Sequence, residues 1–122
     1  MLTASVQKAL NDQIQKELYS SYLYLSMSAF CHTLHLPGFA HWMKLQAEEE
    51  KEHVSKFFDY IIVQGGTVEL GAIQAPPKNF KSVMDLFTKS LEHEKGVTKQ
   101  IHKLYELASR EKDYASQIML QW

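Results

Sequence analysis

Seven residues between positions 39 and 60 are spaced by alternating steps of four and three: Phe39, Met43, Gln46, Glu50, His53, Phe57 and Tyr60. That period belongs to neither strand nor loop; it is the seam by which one helix packs against others in a bundle. The stripe is apolar or aromatic towards its ends and carries a carboxylate and an imidazole one turn apart at its centre. A chain patterned this way must fold as packed helices, and must compensate Glu50 and His53 inside the packing.

Punctuation divides the rest. Thr3 or Ser5 can cap a first helix that passes Cys31 without Gly or Pro, about residues 3–33. "HTLHLPG" breaks it, and Pro37 suits the opening of a second helix that runs to the Gly65–Gly66 pair, about 37–65. Residues 66–81 lack helical period, with a short strand expected at most at Thr67–Leu70. Ser82 with Asp85 opens a third helix, about 82–109, and Asp113 caps a fourth from 113 that is still running at Trp122. Short first and third connections make helices one and two, and three and four, antiparallel neighbours. A helix of about 28 residues spans roughly 42 Å, and about 16 extended residues reach roughly 50 Å, so the middle connection can travel the length of the bundle. The expectation is one all-α domain over 1–122: a ferritin-like four-helix bundle with one long crossover between helices two and three, its fourth helix incomplete in this chain.

The same ruler gives Val6, Leu10, Gln13, Glu17, Ser20, Tyr24, Met27 and Cys31 on helix one, and Val83, Phe87, Ser90, Glu94, Val97, Ile101, Leu104 and Ala108 on helix three. Each stripe carries one carboxylate near its middle. A lone Glu on a stripe ordinarily snorkels to water, and a lone buried His is ordinarily hydrogen-bonded core. Three stripes in agreement point elsewhere, because burying uncompensated carboxylates costs several kcal/mol for each ion. No Lys or Arg lies on these stripes, which leaves a bound cation. Carboxylates with one imidazole suit iron or manganese better than zinc. Glu50 can bridge two ions, Glu17 and His53 complete one site, and Glu94 begins the other. Two dications exceed the charge of three glutamates, so a further acid is expected from helix four, and none follows Asp113.

The totals exclude other classes. The 122 residues suffice for one modest core, and 45% hydrophobic with 22% charged is ordinary for a soluble globular protein. A net charge of −1 gives no reason to expect nucleic acid or a membrane surface. No run approaches about 18 consecutive apolar residues, and "MLTASVQKALND" turns polar too early for a secretory signal. Cys31 is the only cysteine, so no intrachain disulfide forms and a cytoplasmic location is expected.

"QKELYSSYLYLSMSAF", "GFAHWMKLQAEEEKEH", "EHEK" and "DYASQIMLQW" together resemble a bacterial non-haem ferritin, collinearly over the whole chain. The resemblance implies a di-iron ferroxidase centre that oxidises iron(II) with oxygen or hydrogen peroxide and passes ferric mineral into a hollow homo-oligomeric cage of 24 subunits. It assigns Glu17, Glu50 and His53 to one iron, Glu50 and Glu94 to the second, Glu49 to a third site, and Tyr24 to a redox-active tyrosine. Val97 follows Glu94 where related di-iron proteins have a second E-x-x-H, and Lys51 stands where a bacterioferritin has its haem methionine, so the haem-free branch is implied. The family's remaining helix-four ligands and its short fifth helix lie beyond Trp122, so a truncated or incompletely ordered chain is expected. His32, His35, His41, His93 and His102 are expected to be solvated.

Two alternatives stand beside this. A di-iron peroxidase of the rubrerythrin type ordinarily carries a cysteine-rich iron domain, which one cysteine cannot build. A metal-free helical assembly module would leave Glu17, Glu50 and Glu94 exposed.

Overall fold

The computed structural model describes residues 2–121, and among them four helices and no strand. They are α1 (Ala4–Thr33), α2 (Pro37–Val63), α3 (Val83–Arg110) and α4 (Tyr114–Met119). Side-chain caps open three of them: Thr3 accepts from the Val6 amide, Ser82 from Asp85 and Asp113 from Ser116. The first three end alike, in a left-handed residue followed by a bond back to the last turn. His35 (φ 58°), Gly65 (φ 75°) and Lys112 (φ 55°) take that position. The next amides, of Leu36, Gly66 and Asp113, then donate to the carbonyls of Cys31, Ile61 and Ala108 at 3.0, 2.8 and 2.8 Å.

Helix α1 is the centre of the packing, lying along both α2 and α3. Ser28 Oγ donates to the Ala40 carbonyl at 2.6 Å and Ser21 Oγ to that of Ala47 at 2.8 Å. Rising α2 numbers meet falling α1 numbers, so the pair is antiparallel, and the small buried Ala40 and Ala47 let the axes approach closely. Helix α3 also runs antiparallel to α1: Gln100 meets Gln13, and Glu94 meets Tyr24.

The crossover follows α1 from beginning to end. The Thr67 amide donates to Gln7 Oε1, Gln15 Nε2 donates to the Ala72 carbonyl, Ser26 Oγ to that of Pro77, and the Phe80 ring sits edge-on to Phe30. The short strand expected at Thr67–Leu70 does not form. Asn11 accepts from the Glu69 amide at 2.8 Å and donates to the Thr67 carbonyl at 2.9 Å. One side chain thus takes the backbone groups that a partner strand would have taken.

All eight stripe positions of α1 are buried. On α2 the expectation needs correcting. Met43, Glu50 and Phe57 are buried, but Gln46, His53 and Tyr60 are half-buried and Phe39 is 43% exposed. The buried seam is instead Ala40, Met43, Ala47, Glu50, Phe57 and Ile61, because α2 presses chiefly on α1. Helix α4 is also shorter than the expected run from 113 to 122. It covers six residues, its Ser116 meets Tyr60 at 2.7 Å, and Leu120–Gln121 form a turn; Trp122 lies outside the described residues.

The apolar core falls into two clusters. One holds Leu23, Tyr24, Met27, Met43 and Leu86; the other Leu10, Ile14, Phe57, Ile61 and Leu104. Between them on α1 and α2 lie Glu17, Ser20, Glu50 and His53, a polar belt across an otherwise oily interior. None of the helices is long and apolar enough to cross a membrane.

Candidate metal centre

The serine bonds that fix the register of α1 against α2 bring Glu17 opposite the turn carrying Glu50 and His53. One ligand atom from each of the three lies within 4.8 Å of the others. His53 Nδ1 is 3.3 Å from Glu50 Oε2 and 3.5 Å from Glu17 Oε2. Glu17 is 0% and Glu50 3% exposed. The Oε2 atom of each has no hydrogen-bond partner among the described residues. That is an expensive arrangement for a metal-free protein, since buried acceptors are otherwise satisfied.

Protonation shows the strain. The adjoining Glu17 and Glu50 carboxylates raise His53 to about 10 against the pull of burial. Burial pushes Glu50 upward, and the neighbouring Glu17 adds to the push that His53 opposes. Burial works on Glu17 in the same sense, but His53, Glu50 and the Gln13 amide outweigh it and the value falls. Without metal, His53 supplies one positive charge for two acids. A divalent cation between them supplies two, and can engage the oxygens that no hydrogen bond satisfies.

The other expected site residues are placed differently. Glu94 is half-buried on α3 and outside the group of three. It accepts a short hydrogen bond from the Tyr24 hydroxyl, which in turn accepts from Ser90 Oγ at 3.4 Å. Burial and the Glu94 carboxylate raise the Tyr24 phenol well above its ordinary value. Glu49 is exposed and also outside the group of three. The burial of Glu17 and Glu50 removes the assembly module that would have exposed them.

Two features escaped the sequence. His93, expected to be solvated, is half-buried between the rings of Tyr19 and Tyr24, each with its centroid 6.2 Å away. Its Nε2 lies 2.6 Å from Ser20 Oγ. Ser20 spends its only hydroxyl proton on the Lys16 carbonyl, so the imidazole donates. Burial lowers its pKa. The other feature is Gln13, buried at 2% exposure, whose Nε2 donates to Glu17 Oε1 at 3.1 Å and to Gln100 Oε1 at 3.2 Å. The signal for both was membership of the α1 stripe by Gln13 and Ser20, polar residues where apolar ones pack.

The family profile described as a ferritin-like domain matches residues 7–122. The chain is 42% identical to the bacterial non-heme ferritin of Campylobacter jejuni over 122 residues, all of this chain and 73% of that protein. It is 38% identical to the bacterial non-heme ferritin of Staphylococcus haemolyticus, again over the whole chain and 74% of the relative. Among solved structures, an open pore ferritin from the hyperthermophilic archaeon Archaeoglobus fulgidus matches with a TM-score of 0.99 at 43% identity, covering 100% of this chain and 75% of that one. A Chlorobium tepidum ferritin matches with a TM-score of 0.97 at 38% identity, with the same two coverages.

Proposed function

We propose a function from the fact that this chain belongs to the ferritin family: it stores and detoxifies iron, oxidising iron(II) inside the helical bundle before holding it as ferric mineral. The observation that carries this is the convergence of Glu17, Glu50 and His53, with an unsatisfied buried oxygen on each acid. Glu17 and His53 hold one iron(II), Glu50 reaches from it towards a second, and Glu94 begins that second site. Glu49, facing outward, serves a third.

Iron is substrate here, not resident cofactor. Two iron(II) ions release two electrons, which with two protons reduce one oxygen to hydrogen peroxide, or one hydrogen peroxide to two waters. The carboxylates favour the more highly charged product, because a buried anionic cage stabilises iron(III) more than iron(II). Tyr24 is the redox-active tyrosine. When it loses an electron to the oxidant, its phenolic proton has Glu94 Oε1 as a ready acceptor. Lys51 after Glu50 and Val97 after Glu94 support a haem-free centre. The protein works in the cytoplasm as a homo-oligomer, a hollow cage of 24 copies.

An aerobic iron(II) oxidation assay on the wild type and Glu50→Ala tests the proposal. The substitution is expected to slow the initial oxidation at least about tenfold. A variant as fast as the wild type would place the oxidation elsewhere.

A further inference from the structure

We propose that Gln13 and Gln100 form a positioning pair that presents Glu17 to metal through one oxygen only, so that α3 sets the affinity of a site built on α1 and α2. The inference rests on Glu17, Glu50 and His53 being the iron site. Gln13 Nε2 carries two protons. One goes to Glu17 Oε1 at 3.1 Å, the other to Gln100 Oε1 at 3.2 Å. Glu17 can only accept, so a flipped amide would set the Gln13 carbonyl against the carboxylate, and with Gln13 held this way Gln100 presents its carbonyl oxygen. The orientation is therefore fixed by chemistry, not merely by fit.

The consequence falls on Glu17. Its Oε1 is taken by the amide, while its Oε2 points to His53 and carries no hydrogen bond. A cation between the ligands thus meets one oxygen of Glu17, and the carboxylate cannot swing to offer both without breaking the bond from Gln13. Gln100 lies outside the group of three and bonds to Gln13; it acts by holding the Gln13 amide against rotation. It also lines a cavity of about 300 Å³ between α1 and α3, beside Asp12, Lys16 and Lys103. Water from that cavity could replace Gln100 as the acceptor, so its loss should matter less than that of Gln13.

The test is cobalt(II) binding to the intact metal-free protein, followed by calorimetry and by the visible spectrum, which reports the number and geometry of ligands. Gln13→Leu is expected to weaken the tighter site about tenfold, in line with other residues that orient metal ligands, and to change the spectrum as Glu17 becomes able to use both oxygens. Gln100→Leu should weaken it about threefold, whereas Gln100→Glu, which keeps the acceptor, should bind at least as tightly as the wild type. Because Gln100 acts through Gln13, the double variant Gln13→Leu/Gln100→Leu should bind no worse than Gln13→Leu alone. Wild-type affinity and spectrum in Gln13→Leu, or losses that multiply in the double variant, would overturn the proposal. Should Gln13→Leu fail to fold, equal binding by Gln100→Leu and Gln100→Glu overturns it on its own. Failure of the underlying site is distinguishable: in that case the wild type itself binds no cobalt, or Glu50→Ala binds as well as the wild type.

Discussion

Glu17 and Glu50 are costly residues in the metal-free protein, and that cost is where function can be read most directly. Replacing Glu50 with Gln leaves one carboxylate opposite one imidazolium, a balanced pair. The chelator-treated Glu50→Gln protein is therefore expected to be more stable than the wild type by about 1–3 kcal/mol at pH 8, and to lose most of the rise in Tm that added zinc gives the wild type. Differential scanning calorimetry with and without zinc checks both. The pH dependence has a definite sign. His53 holds its proton to about 10 in the fold against an ordinary 6.5. A raised folded-state value means stabilisation that is complete below about pH 6.5 and is lost as pH climbs towards 10. The upward shift of Glu50 acts in the same sense; the lowered Glu17 opposes it only on the acid side. The Tm of the metal-free protein should fall from pH 6.5 to 9.5. Zinc-loaded protein should resist that fall, since metal binding needs the deprotonated ligands, and an equal decline in both forms would contradict the account.

At the scale of elements, glycines separate backbone from packing. Gly65 ends α2 at φ 75°, and a Cβ there would meet nothing within 4 Å. Gly65→Ala should therefore cost about 1 kcal/mol through the backbone alone. Gly96, inside α3 with equally open space around it, should show the reverse, with Gly96→Ala stabilising by about 1 kcal/mol. Asn11→Ala removes both bonds that stand in for a strand partner and should cost about 1–3 kcal/mol. Urea titration of the three variants measures all of these. The elements also show what the sequence made legible. The α1 stripe was read correctly at every position because α1 has a helix on either side of it, so heptad spacing alone chose its buried face. The α2 stripe was read half correctly: Met43, Glu50 and Phe57 belong to both candidate seams, and only the packed partner decides between Phe39 and Ala40. Glu17, Glu50 and His53 were legible because charge on a buried stripe demands an explanation. The burial of Gln13 and Ser20 was legible from the α1 stripe, but their pairing with Gln100 and His93 was not, since neutral polar groups make no such demand and the pairing depends on the register of α3.

For the whole molecule, the fold reads as one long central helix flanked by two others, with its oily interior cut by an acidic belt. Assembly belongs to this scale. Large apolar side chains remain outside the core on the outer faces, among them Leu25, Leu45 and Ile62, and a monomer has little reason to leave them in water. Sedimentation should show a closed homo-oligomer of about two dozen chains; a monodisperse monomer would refute the cage. The central claim is narrower than assembly, and diffraction tests it most directly. In crystals grown with zinc and measured at the zinc edge, the anomalous map should show a peak about 2.0–2.2 Å from Glu17 Oε2, Glu50 Oε2 and His53 Nδ1. A map without density among those three atoms, with both carboxylates turned to solvent, would contradict it.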